Sequence, residues 1–428
     1  MTYINAVKYI NSTSSAPSPE RMRMLCRYLG DPQGRPMRFV HIVGGRGKTS
    51  SAIMLSTVLS EAGYRVGRFV SPQIFELRER ICIDGTPLTH AEFSEYVHRV
   101  SLAAAKMKED ISLVLAEASS DQAAPSESTA RYKITKNLLE GKIDPTPSPD
   151  EIVCAAALIA FKEKGCDISI LECGDSRADP TGVIDPPLVS FVCGAALDQE
   201  QLRTAGGSIR RGTREVVCSA IGREAYGTIS GACAKNGSRM TVPAYGELSI
   251  RESGLGGRVF DYRGKTYAVP FSAEYHMSNA LAAIETVYAL RRTGVPLHSA
   301  DVARGIAKAR IPLRFEIISV SPTIIIDSAE SESDITILRD SLAGISHLIG
   351  KRLTKLVPEN FNTEICDGIF LESGFEEIAT EKLGSRMIFK KLSAIISKLT
   401  ENDVVLVLGS PEFTGNIKKE LERALAYR

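Results

Sequence analysis

The chain has 428 residues, more than one hydrophobic core usually organises, so two or three domains are expected. Apolar residues make up 43% and charged residues 24%, a globular balance that excludes a disordered or fibrous chain. Lysine plus arginine is 52 against 51 acids, a net charge of +1, which argues against a general nucleic-acid or polyanion binder. The longest apolar run, 152–161, lies between Glu151 and Lys162. It is half of the about 20 residues a spanning helix needs, so it reads as a buried core helix with no membrane partner. Residues 1–10 lack the pattern of a signal peptide. Nine cysteines without a C-x-x-C pair fit a reducing cytoplasm better than a disulfide framework or a metal finger.

In chain order, short β-branched runs alternate with amphipathic helices, which predicts an α/β fold with a mainly parallel sheet. Residues 37–43 are a strand ending in glycines, and 49–62 a helix with Ile53, Leu55, Val58 and Leu59 on its apolar face. A strand at 66–70 is broken by Pro72. Helix 89–108 starts with Thr89 as its N-cap. From 117 to 149 the composition shifts to Ser, Ala, Pro, Glu and Lys, as in a mobile surface insertion. Helix 150–164 and strands 167–172 and 188–193 restore order. Segments 240–242, 247–251 and 258–269 read as antiparallel ribbon, followed by helix 273–292. After Pro312 a second unit begins: strands 315–320 and 323–327, helix 333–348, buried strand 404–408 and helix 416–426. The expected domains are a larger, mainly parallel α/β domain, 1–310, and a smaller α/β domain, 311–428.

The sharpest signal is His41-Ile-Val-Gly-Gly-Arg-Gly-Lys-Thr-Ser50. A strand feeds a glycine-rich turn, and Lys-Thr opens a helix. Gly44, Gly45 and Gly47 let backbone N–H groups curl around a phosphate. Lys48 neutralises outer phosphates, and the Thr49 hydroxyl is placed to hold Mg²⁺. The usual spacing wants glycine at position 42, where this chain has Ile42, so the match is to a shorter G-x-x-G-K-T form. A helix-capping glycine turn with a solvated lysine is the competing reading.

That segment resembles the G-T-N-G-K-[GST] loop of the Mur ligase superfamily, and further segments narrow the resemblance to the folylpolyglutamate synthase and dihydrofolate synthase family. Ser71-Pro-Gln-Ile-Phe-Glu-Leu-Arg-Glu-Arg-Ile-Cys-Ile-Asp-Gly85 is similar to S-P-H-L-x-x-x-x-E-R-I-x-I-x-G. Leu171-Glu-Cys-Gly174 with Arg177, Asp179 and Thr181 resembles L-E-V-G-x-G-G-R-x-D-x-T-N. His276-Met-Ser-Asn-Ala280 resembles H-Q-x-x-N-A, Pro312-Leu-Arg-Phe-Glu316 resembles P-G-R-F-E, and Ile326-Asp-Ser-Ala329 resembles the start of L-D-G-A-H-N-P.

The resemblance implies a ligase that uses ATP and Mg²⁺ to join glutamate to a folate-like carboxylate through an acyl phosphate. Gly44, Gly45, Arg46, Gly47, Lys48, Thr49 and Ser50 would cradle ATP, with Mg²⁺ held by Thr49 or Ser50, Ser71 and Glu172. Asn279 would contact adenine, Arg314 a phosphate, and Asp327 the ribose. Lys48, Glu172 and Arg314 would carry catalysis. The resemblance also implies that 1–310 is a P-loop-type ATP-binding domain and 311–428 a Rossmann-like α/β domain, whose closure over ATP would exclude water. Each residue has a plainer reading: Glu172 as a loop cap, Asn279 as a surface amide, Arg314 as a surface ion pair, Asp327 as a helix cap and His276 as a packed histidine. The family is commonly monomeric, and a cytoplasmic monomer is expected.

The departures matter too. The loop asparagine is Arg46, the S-P-H histidine is Gln73, the metal-binding histidine of L-D-H is Gln199, and the phosphate-facing histidine is Glu330. No lysine lies between Lys164 and Lys235, so the family's carbamylated lysine is missing. Arg203, Arg210, Arg211 and Arg214 are nearby, but a guanidinium stays protonated and cannot be carbamylated in its place. One Mg²⁺ is expected where the family uses two. Three functions compete: the amide ligase, a divergent nucleotide-binding relative with lost or altered ligase activity acting as a partner or regulatory protein, and an unrelated phosphate-loop NTPase.

Overall fold

The computed structural model describes residues 1–73, 75–119, 144–174, 178–184, 186–194, 197–219, 222–359, 361, 372–378 and 384–426. By its internal contacts the chain divides into two compact units, 1–243 with 282–298, and 244–281 with 299–428. Residues 244–281 thus group with the C-terminal part, whereas the sequence reading sets its boundary at 310.

The first unit runs α1 (Tyr3–Asn11), α2 (Pro19–Tyr28), β1 (Phe39–Gly44), α3 (Lys48–Glu61), β2 (Val66–Phe69), β3 (Ile81–Ile83), β4 (Thr86–Pro87), α4 (His90–Ser119), α5 (Pro149–Glu163), β5 (Ile168–Glu172), β6 (Val189–Cys193), α6 (Gln199–Ser208), β7 (Glu215–Cys218), α7 (Arg223–Asn236) and β8 (Arg239–Thr241). Its strands form one sheet in the order β4-β3-β2-β5-β1-β6-β7-β8. All neighbours are parallel except the β2–β3 and β3–β4 pairs. Every residue of β1, β5 and β6 is buried, as central parallel strands with both faces covered must be. One core joins α1, α2, α4 and α5 to Phe39, Phe69 and Leu171. Another joins α6 and α7 to Val43, Val192 and Val216. From β1 the chain goes to β2 and β5 on one side, then to β6 on the other. This order opens a crevice at the carboxyl ends of β1, β5 and β6, where ligands bind in such sheets.

The second unit contains the antiparallel sheet β9 (Ser249–Gly254), β10 (Gly257–Tyr262) and β11 (Lys265–Val269). Helices α8 (Glu274–Arg292), which starts in this unit and ends in the first, and α9 (Ser299–Lys308) follow. The remaining elements are β12 (Glu316–Val320), β13 (Thr323–Asp327), α10 (Glu332–Ala343), β14 (Arg352–Val357), β15 (Glu372–Glu377), α11 (Ser385–Ile396), β16 (Asp403–Leu408) and α12 (Pro411–Ala426). The second sheet is ordered β12-β13-β16-β14-β15, parallel except at β12–β13. Its core packs Phe315, Ile325, Leu338, Leu342, Val404 and Leu406.

Some expected elements change. Residues 240–242 were expected in the ribbon, but β8 extends the large sheet parallel to β7, because helix α7 between them acts as a crossover. Thr89 does cap its helix, in a reciprocal pair with Glu92, but α4 runs past Lys108 to Ser119, with Met107 and Ile111 continuing the buried face one turn apart. Residues 117–119 of the supposed insertion are therefore helix, and 149 opens α5 behind a Ser148–Glu151 capping box. The stretch 120–143 lies outside the described residues. The helix expected over 333–348 stops at Ala343, where extended Ile345 turns into the core with Leu348. The short helices α1, α2, α6, α7 and α9 are additional to the elements expected from the sequence.

Candidate active site

In the first unit the glycine loop joins β1 to α3. Gly44 has φ 106° and Gly47 φ 91°, left-handed values that favour glycine. A Cβ on Gly44 would lie 2.3 Å from the Cys193 carbonyl oxygen, and the Gly45 N–H donates to that oxygen at 2.9 Å. The loop is thus pinned to the end of β6. Gly47 is the N-cap of α3 without a side-chain cap, leaving the first-turn N–H groups to another acceptor. Lys48 Nζ donates to the Gly44 carbonyl at 2.8 Å, so the ammonium sits over the loop. Arg46 is half-buried and Ser50 buried.

The Thr49 hydroxyl lies 2.8 Å from Glu172 Oε2 and 3.1 Å from Oε1. Residues 123 positions apart meet because β5 is parallel to β1 and both end at this edge. Glu172 is buried, and burial lifts its carboxyl to about 7, against the Thr49 hydrogen bond, the Lys48 charge, the Ser71 backbone hydrogen bond and Arg80. Ser71 therefore reaches Glu172 through its backbone. Arg80 is itself buried, donating to the Val70 carbonyl at 3.2 Å and pairing with Asp150 at 2.9 Å.

Glu172 is followed by a second buried network. Asp179 Oδ2 accepts the Gly174 N–H at 2.6 Å, and Oδ1 accepts the Thr181 N–H at 2.9 Å. The Thr181 hydroxyl also donates to Oδ1, so it accepts from His41 Nε2 at 2.8 Å. Burial, helped by the charge of Arg210, lowers His41 to about 3, keeping the imidazole neutral. The chain after the strand-end carboxylate is thereby tied to β1. Arg177 of this motif lies outside the described residues. Asp179 and Thr181 belonged to the quoted motif without an assigned task; the link to His41 carried no signal in the sequence.

The substituted positions are also placed. Gln199 is exposed at the start of α6 and donates to Glu224 Oε1 at 2.7 Å, while Asp198 before it makes a capping box with Gln201. Arg210 donates to the Gly182 and Ile184 carbonyls at 3.1 and 2.8 Å; Arg203, Arg211 and Arg214 are exposed. Glu330 is exposed as well.

In the second unit, Asp327 ends β13 and is buried. Its Oδ2 accepts the Tyr275 hydroxyl at 2.9 Å and the Phe315 N–H at 2.8 Å. Burial raises its carboxyl to about 6, opposed by Arg314 and these hydrogen bonds. Arg314 Nη1 donates to the Ser328 carbonyl at 3.0 Å and lies 4.0 Å from Asp327 Oδ1. Arg314 and Asp327 are therefore brought together. Asn279 is buried on α8, one turn beyond His276. Tyr275 was not singled out from the sequence, since a tyrosine opening a helix reads as ordinary packing.

For Mg²⁺ and a nucleotide, the donor set of the first unit fits. A hydroxyl and a carboxylate, both hard oxygen ligands, touch at a loop carrying an ammonium and an uncapped helix start. Mg²⁺ needs only one or two protein carboxylates beside phosphate and water. Among the described residues no group of three or more His, Cys, Asp or Glu forms a metal cluster, and no helix is long and apolar enough to cross a membrane.

No family model matches the chain. It is 28% identical over 362 residues to a folylpolyglutamate synthase of Lacticaseibacillus casei, covering 78% of this chain and 75% of that protein. It is 27% identical over 395 residues to a dihydrofolate synthase/folylpolyglutamate synthase of Mycobacterium tuberculosis, covering 86% and 75%. A crystal structure of a folylpolyglutamate synthase from Thermotoga maritima shares its fold, with TM-score 0.77 and 23% identity over 98% of this chain and 96% of that one. The chain is therefore similar in sequence, and in fold, to proteins of the folylpolyglutamate synthase and dihydrofolate synthase family.

Proposed function

We propose that the protein is an ATP- and Mg²⁺-dependent carboxylate–amine ligase that attaches glutamate to a folate-like acid. The observation that carries this reading is Glu172, buried at the carboxyl end of β5 with both oxygens within 3.1 Å of the hydroxyl that follows the loop lysine. The names of the relatives support the folate-like acid and the glutamate.

A carboxylate is a poor electrophile. Its oxygen attacks the γ-phosphorus of ATP and ADP leaves, giving an acyl phosphate. The glutamate amine then attacks the acyl carbon, and phosphate departs as the amide forms. Mg²⁺ supplies charge neutralisation on the phosphates when bound. Thr49, Ser50, Ser71 and Glu172 would hold it, with a single ion in this reading. Lys48 and the N–H groups of the loop and of the first turn of α3 bind the phosphate oxygens. Glu172 has to shed its proton to ligate a cation, and nearby Lys48 and Arg80 favour the charged form. Arg314 binds phosphate, Asp327 the ribose and Asn279 the adenine. The protein acts as a cytoplasmic monomer on small molecules, without nucleic acid.

The test is ADP release with ATP, Mg²⁺, glutamate and a panel of pterin acids. Release that requires both the acid and the amine is expected. Turnover independent of both, or nucleotide binding with no acid- and amine-dependent turnover, would overturn the reading.

A further inference from the structure

Arg314 sits in a turn of unusual backbone. Leu313 has φ 57° and Phe315 φ 47°, so two non-glycine residues flank it in the left-handed region, a conformation that persists only when its surroundings over-determine it. Those surroundings are visible. The Leu313 N–H donates to Glu316 Oε2 at 2.9 Å, the Ser328 N–H to the Leu313 carbonyl at 2.8 Å, and the Phe315 N–H to Asp327 Oδ2 at 2.8 Å. The side chains of Leu313 and Phe315 are buried. The remaining carbonyl, that of Arg314 itself, lies 3.0 Å from His276 Nε2.

A carbonyl can only accept, so His276 Nε2 carries the proton and donates. The histidine is fully buried, and its ring packs beside Phe271 and Tyr275 at centroid separations of 4.8 and 4.3 Å. Burial holds it neutral, lowering it to about 4, so its role is not a change of charge near neutral pH. By contrast Arg314 keeps 43% of its side chain exposed, so the guanidinium, held at the Ser328 carbonyl, is accessible to a ligand while its backbone is fixed.

We propose that His276 is a positioning residue for Arg314, donating Nε2–H to the Arg314 carbonyl and so holding the strained turn in the conformation that presents the guanidinium. The proposal rests on the phosphate role given to Arg314 above. It makes no use of His276 as an acid or base.

The test compares MgATP and AMP binding by calorimetry in the full chain and four variants. Arg314→Ala and His276→Leu are expected to weaken MgATP about tenfold, the loss of one charge-assisted contact, and to leave AMP unchanged. His276→Gln keeps an N–H donor and retains most of the MgATP affinity. His276→Phe keeps the ring packing without the donor and serves if the leucine variant does not fold. A silent Arg314→Ala overturns the phosphate role and the proposal with it. An impaired Arg314→Ala beside a folded, silent His276→Leu or His276→Phe overturns the proposal alone. So does equal impairment of the glutamine and leucine variants, or a chain that folds with glutamine but with neither leucine nor phenylalanine.

Discussion

The groups around Lys48 and those around Arg314 are held in place by different means. Lys48 rides on regular structure: a fully buried parallel strand, two left-handed glycines and a 14-residue helix. Its loop is fixed mainly by backbone, with Gly45 bonded to Cys193. Arg314 rides on an irregular turn between α9 and β12, pinned by the side chains of His276, Glu316 and Asp327. Backbone-held sites leave glycine signatures in sequence, whereas side-chain-held sites leave isolated polar residues with many possible uses. The first kind is therefore easy to find and intolerant of an added Cβ. The second is hard to find and sensitive to the loss of single donors.

The comparison can be broken or sharpened by substitution. Lys48→Ala is expected to weaken MgATP binding on the order of 100-fold, the value of a charged hydrogen bond to phosphate. Calorimetry on a folded variant that returned the parent affinity would remove the lysine from the phosphate site. Gly44→Ala introduces a Cβ 2.3 Å from a backbone oxygen at a positive φ, and a loss of about 2 kcal/mol or more in unfolding free energy is expected. An unchanged urea midpoint would mean that the loop is not pinned to β6.

The pH responses follow from burial. Glu172 is raised from 4.5 to about 7, so a cation has to displace its proton below that value. Affinity for Mg²⁺-dependent nucleotide binding is expected to rise up to tenfold per pH unit below 7 and level off above it. In Glu172→Gln that slope should vanish, and a slope that persists would assign the titration elsewhere. The linkage in the folded protein itself has the opposite sense. The stabilisation from Glu172's elevated value is complete below pH 4.5 and disappears as pH rises through 7.

The smallest effect is expected at Tyr275. Tyr275→Phe removes one hydrogen bond to Asp327 and should cost about 1–2 kcal/mol at pH 8, where the carboxylate is charged. Because Asp327 is raised to about 6, the cost should shrink at pH 5, where the carboxyl holds its proton. Equal costs at both pH values in urea titrations would show that the tyrosine acts through packing.

Much of this protein was legible before its fold. Hydrophobic periodicity placed β1, α3, β5, β6, α8, β13 and β16 within a residue or two, because continuous burial imposes continuous apolar runs. The Gly-Gly-Arg-Gly-Lys-Thr string at 44–49 announced its loop, since left-handed dihedrals select glycine locally. Tertiary structure alone decided the rest. It took the segment expected as ribbon at 240–242 into the parallel sheet as β8, Arg239–Thr241, since pairing depends on which neighbour a helix brings alongside. Strand pairing also set Glu172 against Thr49 across 123 residues, while packing of the turn after β5 tied Thr181 to His41 and packing of α8 put His276 and Tyr275 around the Arg314–Asp327 pair. Such contacts leave no local imprint: a hydrogen bond between distant residues constrains one polar atom at each end, and a single residue type satisfies many partners.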